Sequence, residues 1–66
     1  MNRVRDYRQQ KKLSQQVLAK EIGVARQTIN LIENDKYNPS LDLCIRLAQA
    51  LDTDLNTLFW EVGEDE

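Results

Sequence analysis

Four polar side chains lie close together in the sequence, among apolar residues at helical spacing: Arg26, Gln27, Thr28 and Asn30. Ile29 and Ile32 are three residues apart and form the buried face of a short predicted helix, which leaves the polar side chains on its exposed side. Guanidinium, amide and hydroxyl groups on one helix face can hydrogen-bond to the base edges and phosphates of DNA. The pattern therefore predicts a helix that faces DNA.

A second amphipathic segment precedes this helix. Leu18 and Ile22 are four residues apart and so lie on one helix face, and Ser14 is a favourable N-cap. Gly23 follows the last apolar position, where helices commonly end on a left-handed residue. The sequence thus predicts two short helices and a tight turn over residues 14–33. Neither helix can bury its apolar face alone, so the rest of the chain must supply the remaining core.

Three further helices are predicted to complete that core. Residues 3–12 contain neither Gly nor Pro and indicate a helix before the pair. A fourth helix follows the N-cap Ser40, and a short fifth helix follows a cap at Thr53 or Asp54. Apolar and acidic residues alternate at 60–62, a pattern that allows a short C-terminal β segment. The predicted fold class is all-α with five helices, with or without that segment.

The fourth helix has more apolar residues than one face can hold. Those at core-facing spacing are Leu41, Cys44, Ile45, Ala48 and Leu51. Others project to a different side: Leu43, Leu47 and Ala50. An apolar face outside the core predicts a contact with another chain, and we expect a homodimer interface within about residues 43–62. Its expected residues are Leu43, Leu47, Leu55, Phe59, Trp60 and Val62.

Length and composition limit the class of protein. A chain of 66 residues has room for one domain, over 1–66, and such a domain is marginally stable unless a partner adds buried area. With one cysteine, Cys44, and no histidine, neither a disulfide framework nor a Cys/His metal site is expected. No nucleophile is paired with a base, so we expect no enzyme and no cofactor, and no small-molecule effector is evident. The lack of a long apolar run predicts a soluble, cytoplasmic protein with no membrane span.

Charge is distributed unevenly, although the net charge is only −2. Residues 1–40 carry eight Lys or Arg against four Asp or Glu, a net charge of +4, whereas residues 41–66 carry one against seven, a net charge of −6. Such segregation suggests one face for a polyanion and another that is kept away from it. The alternative is ordinary solvated surface charge.

From Val4 to Phe59 the chain resembles the helix-turn-helix domain of phage Cro and repressor proteins, a broad family of bacterial, archaeal and phage regulators. The residues that carry the resemblance are Arg8, Leu13-Ser14-Gln15, Leu18-Ala19, Ile22-Gly23-Val24, Arg26-Gln27-Thr28-Ile29, Ile32-Glu33-Asn34, Lys36, Pro39-Ser40-Leu41, Leu47-Ala48 and Leu51. They occur in register without an insertion. The resemblance implies a five-helix lambda-repressor-like DNA-binding domain.

The resemblance also implies which residues contact DNA: Gln15, Arg26, Gln27, Thr28, Asn30, Asn34 and Lys36. Gln15 would contact a phosphate and support the recognition helix. Arg26 suits guanine, whereas Gln27 and Asn30 suit adenine in the major groove. Asn34 and Lys36 match a loop that binds backbone phosphate. Alternatives remain, since Gln15 could only cap its helix, Asn34 could only serve the turn, and Arg26 could be a solvated charge.

Three positions depart from the family pattern or have no evident role. Asp35 replaces the usual glycine of the phosphate-binding loop and must either point away or weaken binding. Ala25 replaces the usual Ser or Thr cap of the recognition helix. Leu31 would contact a thymine methyl group or form the edge of the core.

Arg8 lies next to Tyr7, at the edge of the buried face of the first helix, where a permanent charge needs a partner, and Glu33 is the candidate. The alternative is that Arg8 extends to water. The resemblance implies the same buried ion pair.

Together these features predict a sequence-specific regulator that binds double-stranded DNA. We expect a repressor that acts as a homodimer on a palindromic operator, since one recognition helix reads too few base pairs to find a single site. The alternative is an antitoxin or inhibitor whose main role is to bind a partner protein through the same apolar surface.

Overall fold

The five predicted helices are present in residues 2–59, the part of the chain that the computed structural model describes. Their bounds are α1 Val4–Gln10, α2 Gln15–Ile22, α3 Arg26–Glu33, α4 Leu41–Ala50 and α5 Leu55–Phe59. The all-α prediction is confirmed, and the β segment expected at 60–62 lies outside the described residues. The longest helix has ten residues. None in the described range is long and apolar enough to cross a membrane.

Local backbone chemistry determines several helix ends. The predicted caps Ser14 and Ser40 each accept a hydrogen bond from the backbone N–H three residues later, at 3.1 and 3.2 Å. Of the two alternatives for α5, Asp54 is the residue that accepts such a bond, at 2.8 Å. Gly23 ends α2 with a φ of 82°, the left-handed conformation that a residue without a Cβ adopts readily. Ala25 starts α3 without a side-chain cap, as expected.

Every helix contributes to one core. Its buried residues are Val4, Leu18, Ala19, Ile22, Ile29, Ile32, Leu43, Leu47, Ala48, Leu51 and Leu58. The helices α2 and α3 pack against each other, α1 packs against α3 and α5, and α4 packs against α2 and α5. Packing against α1 and α2 holds α3 in place, and α4 in turn packs against α2. The exposed face of α3 therefore has a fixed orientation.

The prediction for the faces of α4 is correct for Ala48 and Leu51, which are buried, but wrong for three leucines and one isoleucine. Leu43 and Leu47 are 8% and 0% exposed and belong to the chain's own core, whereas Leu41 is 67% exposed and Ile45 is 40% exposed. Both sets have helical spacing, so periodicity alone does not decide which one is buried; the positions of α2 and α5 do. Leu43 and Leu47 therefore have no surface to offer to a second chain.

The remaining residues of the expected interface have different surroundings. Leu55 and Phe59 are half-buried and pack against the core. Trp60 and Val62 lie outside the described residues. Within the described range, only the partly exposed side chains of α5 remain from the interface that the sequence predicted.

Candidate nucleic-acid interface

The exposed face of α3 carries polar side chains that the sequence predicted to contact DNA. Arg26, Gln27 and Asn30 are exposed, as expected, whereas Thr28 is half-buried. The opposite face is buried, with Ile29 at 0% exposure. The helix therefore presents donors and acceptors to the outside while its apolar face is fixed in the core.

Helical geometry arranges the exposed side chains in two rows. Residues four apart are neighbours on a helix surface, so Arg26 lies beside Asn30 and Gln27 lies beside Leu31. Asn34 extends the first row, and its Nδ2 donates a hydrogen bond to the carbonyl oxygen of Asn30 at 2.8 Å. A ligand lying along α3 would thus meet polar groups from both rows, together with the apolar side chain of Leu31.

A buried carboxylate anchors the C-terminal end of α3. Among residues 2–59, Glu33 is the only charged residue that is buried, with 1% exposure. Arg8 donates hydrogen bonds to both of its carboxylate oxygens, at 2.6 and 3.3 Å, so the predicted ion pair is confirmed. Arg5 and Gln15 also donate to Glu33 Oε1, at 3.4 and 3.0 Å. These four residues form what we call the Glu33 cluster.

Gln15 connects the Glu33 cluster to the start of α3. Its Nε2 donates to Glu33, while its Oε1 accepts a hydrogen bond from Nη1 of Arg26 at 3.4 Å. A carboxylate only accepts and a guanidinium only donates, so these partners determine the orientation of the amide. Gln15 therefore links α2 to both ends of α3, in agreement with the supporting role expected for it. Its contact with a DNA phosphate stays a prediction.

The Glu33 carboxyl group titrates below its ordinary range. Burial alone would raise the pKa of Glu33, because it disfavours the charged form. Hydrogen bonds from Arg8 and Gln15, the charge of Arg8 and a hydrogen bond from Arg5 outweigh burial and lower the pKa below its usual value. The cluster thus holds a charged carboxylate inside the domain.

This lowered pKa predicts a pH dependence of stability. The unfolded chain binds a proton at Glu33 first, at an ordinary pKa of about 4.3, so the contribution of the carboxylate is complete above that pH. It is then lost as the pH falls through the lower pKa of the folded state. Urea unfolding of the wild type and Glu33→Gln between pH 7 and pH 3 measures this contribution. We expect the stability difference between them to shrink in acid; a difference that is constant with pH would contradict this account.

The loop after α3 contains the predicted phosphate-binding residues and Asp35. Lys36 is exposed. Asp35 has a φ of 57°, a left-handed conformation in which glycine is favoured and Asp is tolerated. Its Oδ1 accepts a hydrogen bond from Nδ2 of Asn2 at 3.0 Å, and the same amide donates to the carbonyl oxygen of Ile32 at 2.7 Å. Asn2 thus holds the Asp35 carboxylate to the N-terminal segment, which favours the first of the two expectations for Asp35.

Asn2 and Arg5 are parts of this site that the sequence did not indicate. Besides its contact with Glu33, Arg5 donates from Nη2 to Oδ1 of Asn34 at 3.1 Å. These contacts join residues 29 and 33 positions apart, so no local pattern reveals them. One signal was present: the expectation that Asp35 points away from the bound phosphate implies that its carboxylate lies against another part of the chain.

Hydrogen bonds connect some of the predicted DNA-contacting residues, whereas others share only their location on α3 or in the loop after it. Gln15, Arg26 and Asn34 are joined through the Glu33 cluster. Gln27 stands exposed on the second row of α3, and Lys36 lies in the loop that follows. All are on α3, at the start of α2, or in the loop that α1 braces.

Comparisons with known proteins agree with this arrangement. The sequence model of a family described as helix-turn-helix matches residues 4–58. An HTH-type transcriptional regulator of Archaeoglobus fulgidus is 40% identical over 64 residues, which cover 97% of this chain and 89% of the relative. Another, from Methanocaldococcus jannaschii, is 41% identical over 65 residues, which cover 98% of this chain and 96% of the relative.

A solved structure shares the same fold. The restriction-modification controller protein C.AhdI from Aeromonas hydrophila superposes with a TM-score of 0.80 and 38% sequence identity, over 86% of each chain. The likeness thus extends from the sequence to the arrangement of the helices.

Proposed function

Because the chain belongs to the Cro/phage-repressor-type helix-turn-helix family of transcriptional regulators, we propose that it binds one specific DNA sequence, as a homodimeric repressor on a palindromic operator. The observation that carries the proposal is the exposed polar face of α3, fixed from behind by the Glu33 cluster. Side chains that read bases must be held in position by their supports, since a displacement of an ångström breaks paired hydrogen bonds.

Reading of bases is assigned to the first two turns of α3. Arg26 can donate two hydrogen bonds to O6 and N7 of guanine, and Gln27 or Asn30 can pair with N6 and N7 of adenine. A purely solvated arginine would contact only water. The guanidinium of Arg26 instead donates a hydrogen bond to Oε1 of Gln15, which orients it. Thr28 is half-buried, and its hydroxyl is assigned to a phosphate rather than to a base.

Contacts with the DNA backbone are assigned to the residues that flank α3. Gln15 stands at the first position of α2, while Asn34 and Lys36 follow the end of α3. Phosphate contacts set the register of a protein on the duplex without reading sequence. The net charge of +4 in residues 1–40, the part of the chain that contains these three residues, supports this assignment, because attraction to a polyanion is long-ranged.

The homodimer is proposed on the apolar side chains left outside the core. Leu41 and Ile45 are exposed and four residues apart on α4, and Leu55 and Phe59 of α5 are half-buried. A two-fold dimer places two recognition helices about 34 Å apart, one turn of the duplex, and doubles the number of base pairs read. Seated on an operator inside a promoter, such a dimer would block access to the DNA, and we therefore assign repression.

Two substitutions separate base reading from phosphate binding. Arg26→Ala is expected to lose about 1–3 kcal/mol of discrimination at one base position, because one paired contact is removed. Lys36→Ala is expected to weaken binding to every sequence and to reduce the slope of affinity against salt concentration by about one. Fluorescence anisotropy with a DNA duplex selected by the wild type, and with a scrambled duplex, measures both effects across a salt series.

The control for these variants is Lys20→Ala, which removes the same charge as Lys36→Ala from the groove between α2 and α4. It should leave both the discrimination and most of the salt slope unchanged. If Arg26→Ala and Lys36→Ala reduced specific and non-specific binding by equal factors, the assigned roles would be wrong.

A further inference from the structure

One apolar side chain occupies the polar face of α3. Leu31 is 39% exposed, whereas its neighbours on the buried face, Ile29 and Ile32, are 0% and 1% exposed. It lies in the same row as Gln27, one helical turn further along. This exposure fits both expectations for Leu31, the edge of the core and a contact with DNA. Its row on α3 places it beside the polar side chains assigned to base reading.

The position of Leu31 is fixed by the backbone. Its carbonyl oxygen accepts a hydrogen bond from the N–H of Lys36 at 2.8 Å, so the helix and the loop that follows are tied together at this residue. A side chain on such a fixed backbone can make a contact of defined geometry. The contact that an isobutyl group can make with DNA depends on which apolar groups a groove exposes.

In the major groove, the C5 methyl group of thymine is the apolar group that a base edge presents. We propose that Leu31 packs against this methyl group and so selects thymine at one position in each half-site. Four residues of helix rise about 6 Å, so the thymine lies within about two base pairs of the pair that Gln27 reads. This inference rests on the proposed function, because it requires α3 to enter the major groove.

Deoxyuridine tests the contact without any other change to the DNA, since it lacks only the methyl group. In a duplex selected by the wild type, each thymine of one half-site is replaced in turn by deoxyuridine, and affinity is measured by fluorescence anisotropy. We expect one replacement to weaken wild-type binding about fourfold, the effect of one buried methyl group. Leu31→Ala should bind the thymine and uracil duplexes equally at that position.

The matched control is Val17→Ala, which shortens another exposed apolar side chain, on α2, and should keep the fourfold discrimination. Equal affinity of the wild type for thymine and uracil at every position, or full discrimination by Leu31→Ala, would overturn the inference. If only the Leu31 contact is wrong, the wild type should still prefer the selected duplex over a scrambled one. Loss of this preference would instead refute the proposed function, and the inference with it.

Discussion

Replacing Glu33 with glutamine is expected to lower the free energy of unfolding by about 3–5 kcal/mol, a large share of the stability of a small domain. Both carboxylate oxygens of Glu33 accept hydrogen bonds, from Arg8, Arg5 and Gln15. A glutamine side chain would turn an NH2 group towards one of these donors and would leave the charge of Arg8 without its partner. Urea unfolding at pH 7, followed by circular dichroism, measures the loss.

The matched control for this substitution is Asp42→Asn. It also neutralises one carboxylate that pairs with an arginine, but the Asp42 side chain is 71% exposed and its partner Arg46 is 50% exposed. An exposed pair contributes at most about 1 kcal/mol, because water screens it. Equal losses in the two variants would show that burial of the Glu33 cluster adds nothing to stability.

Replacing Leu47 with alanine is expected to lower the free energy of unfolding by about 2–5 kcal/mol, because it opens a cavity in a fully buried part of the core. Leu41→Ala is the control, since it makes the same change on the same helix at a side chain that is 67% exposed. Its effect should stay within about 0.5 kcal/mol. Urea unfolding of both variants should be done at a concentration where the chain sediments as a monomer.

The comparison of these two leucines decides which face of α4 is buried. A larger loss for Leu41→Ala than for Leu47→Ala would restore the arrangement that the periodicity of the sequence predicted. It would also mean that the Leu47 side chain is available for contact with a second chain.

The features predicted correctly depend on residues that are close in the sequence. Ser14 and Ser40 cap their helices by bonds to a backbone N–H three residues later, and Gly23 adopts the left-handed conformation that ends α2. Such chemistry is decided locally. The exposure of Arg26, Gln27 and Asn30 was also predictable, because a single apolar face on α3 leaves no choice of orientation.

The features predicted wrongly or missed depend on which distant elements come together. On α4, Leu43 and Leu47 compete with Leu41 and Ile45 for the core, and only the placement of neighbouring helices decides between them. The contact between Asn2 and Asp35 joins residues 33 positions apart. Arg8 and Glu33 are 25 positions apart, and their pairing was predicted because a charge at the edge of a buried face needs a partner and because the resemblance implies the same pair.

The central claim, that α3 reads a specific sequence as part of a two-fold dimer, is tested most directly by selecting bound duplexes from a random DNA pool and sequencing them. The account predicts one enriched palindrome with half-sites about ten base pairs apart, centre to centre, and a conserved A·T pair in each half-site. Recovery of sequences with no common motif, or of a single half-site without its inverted copy, would contradict it.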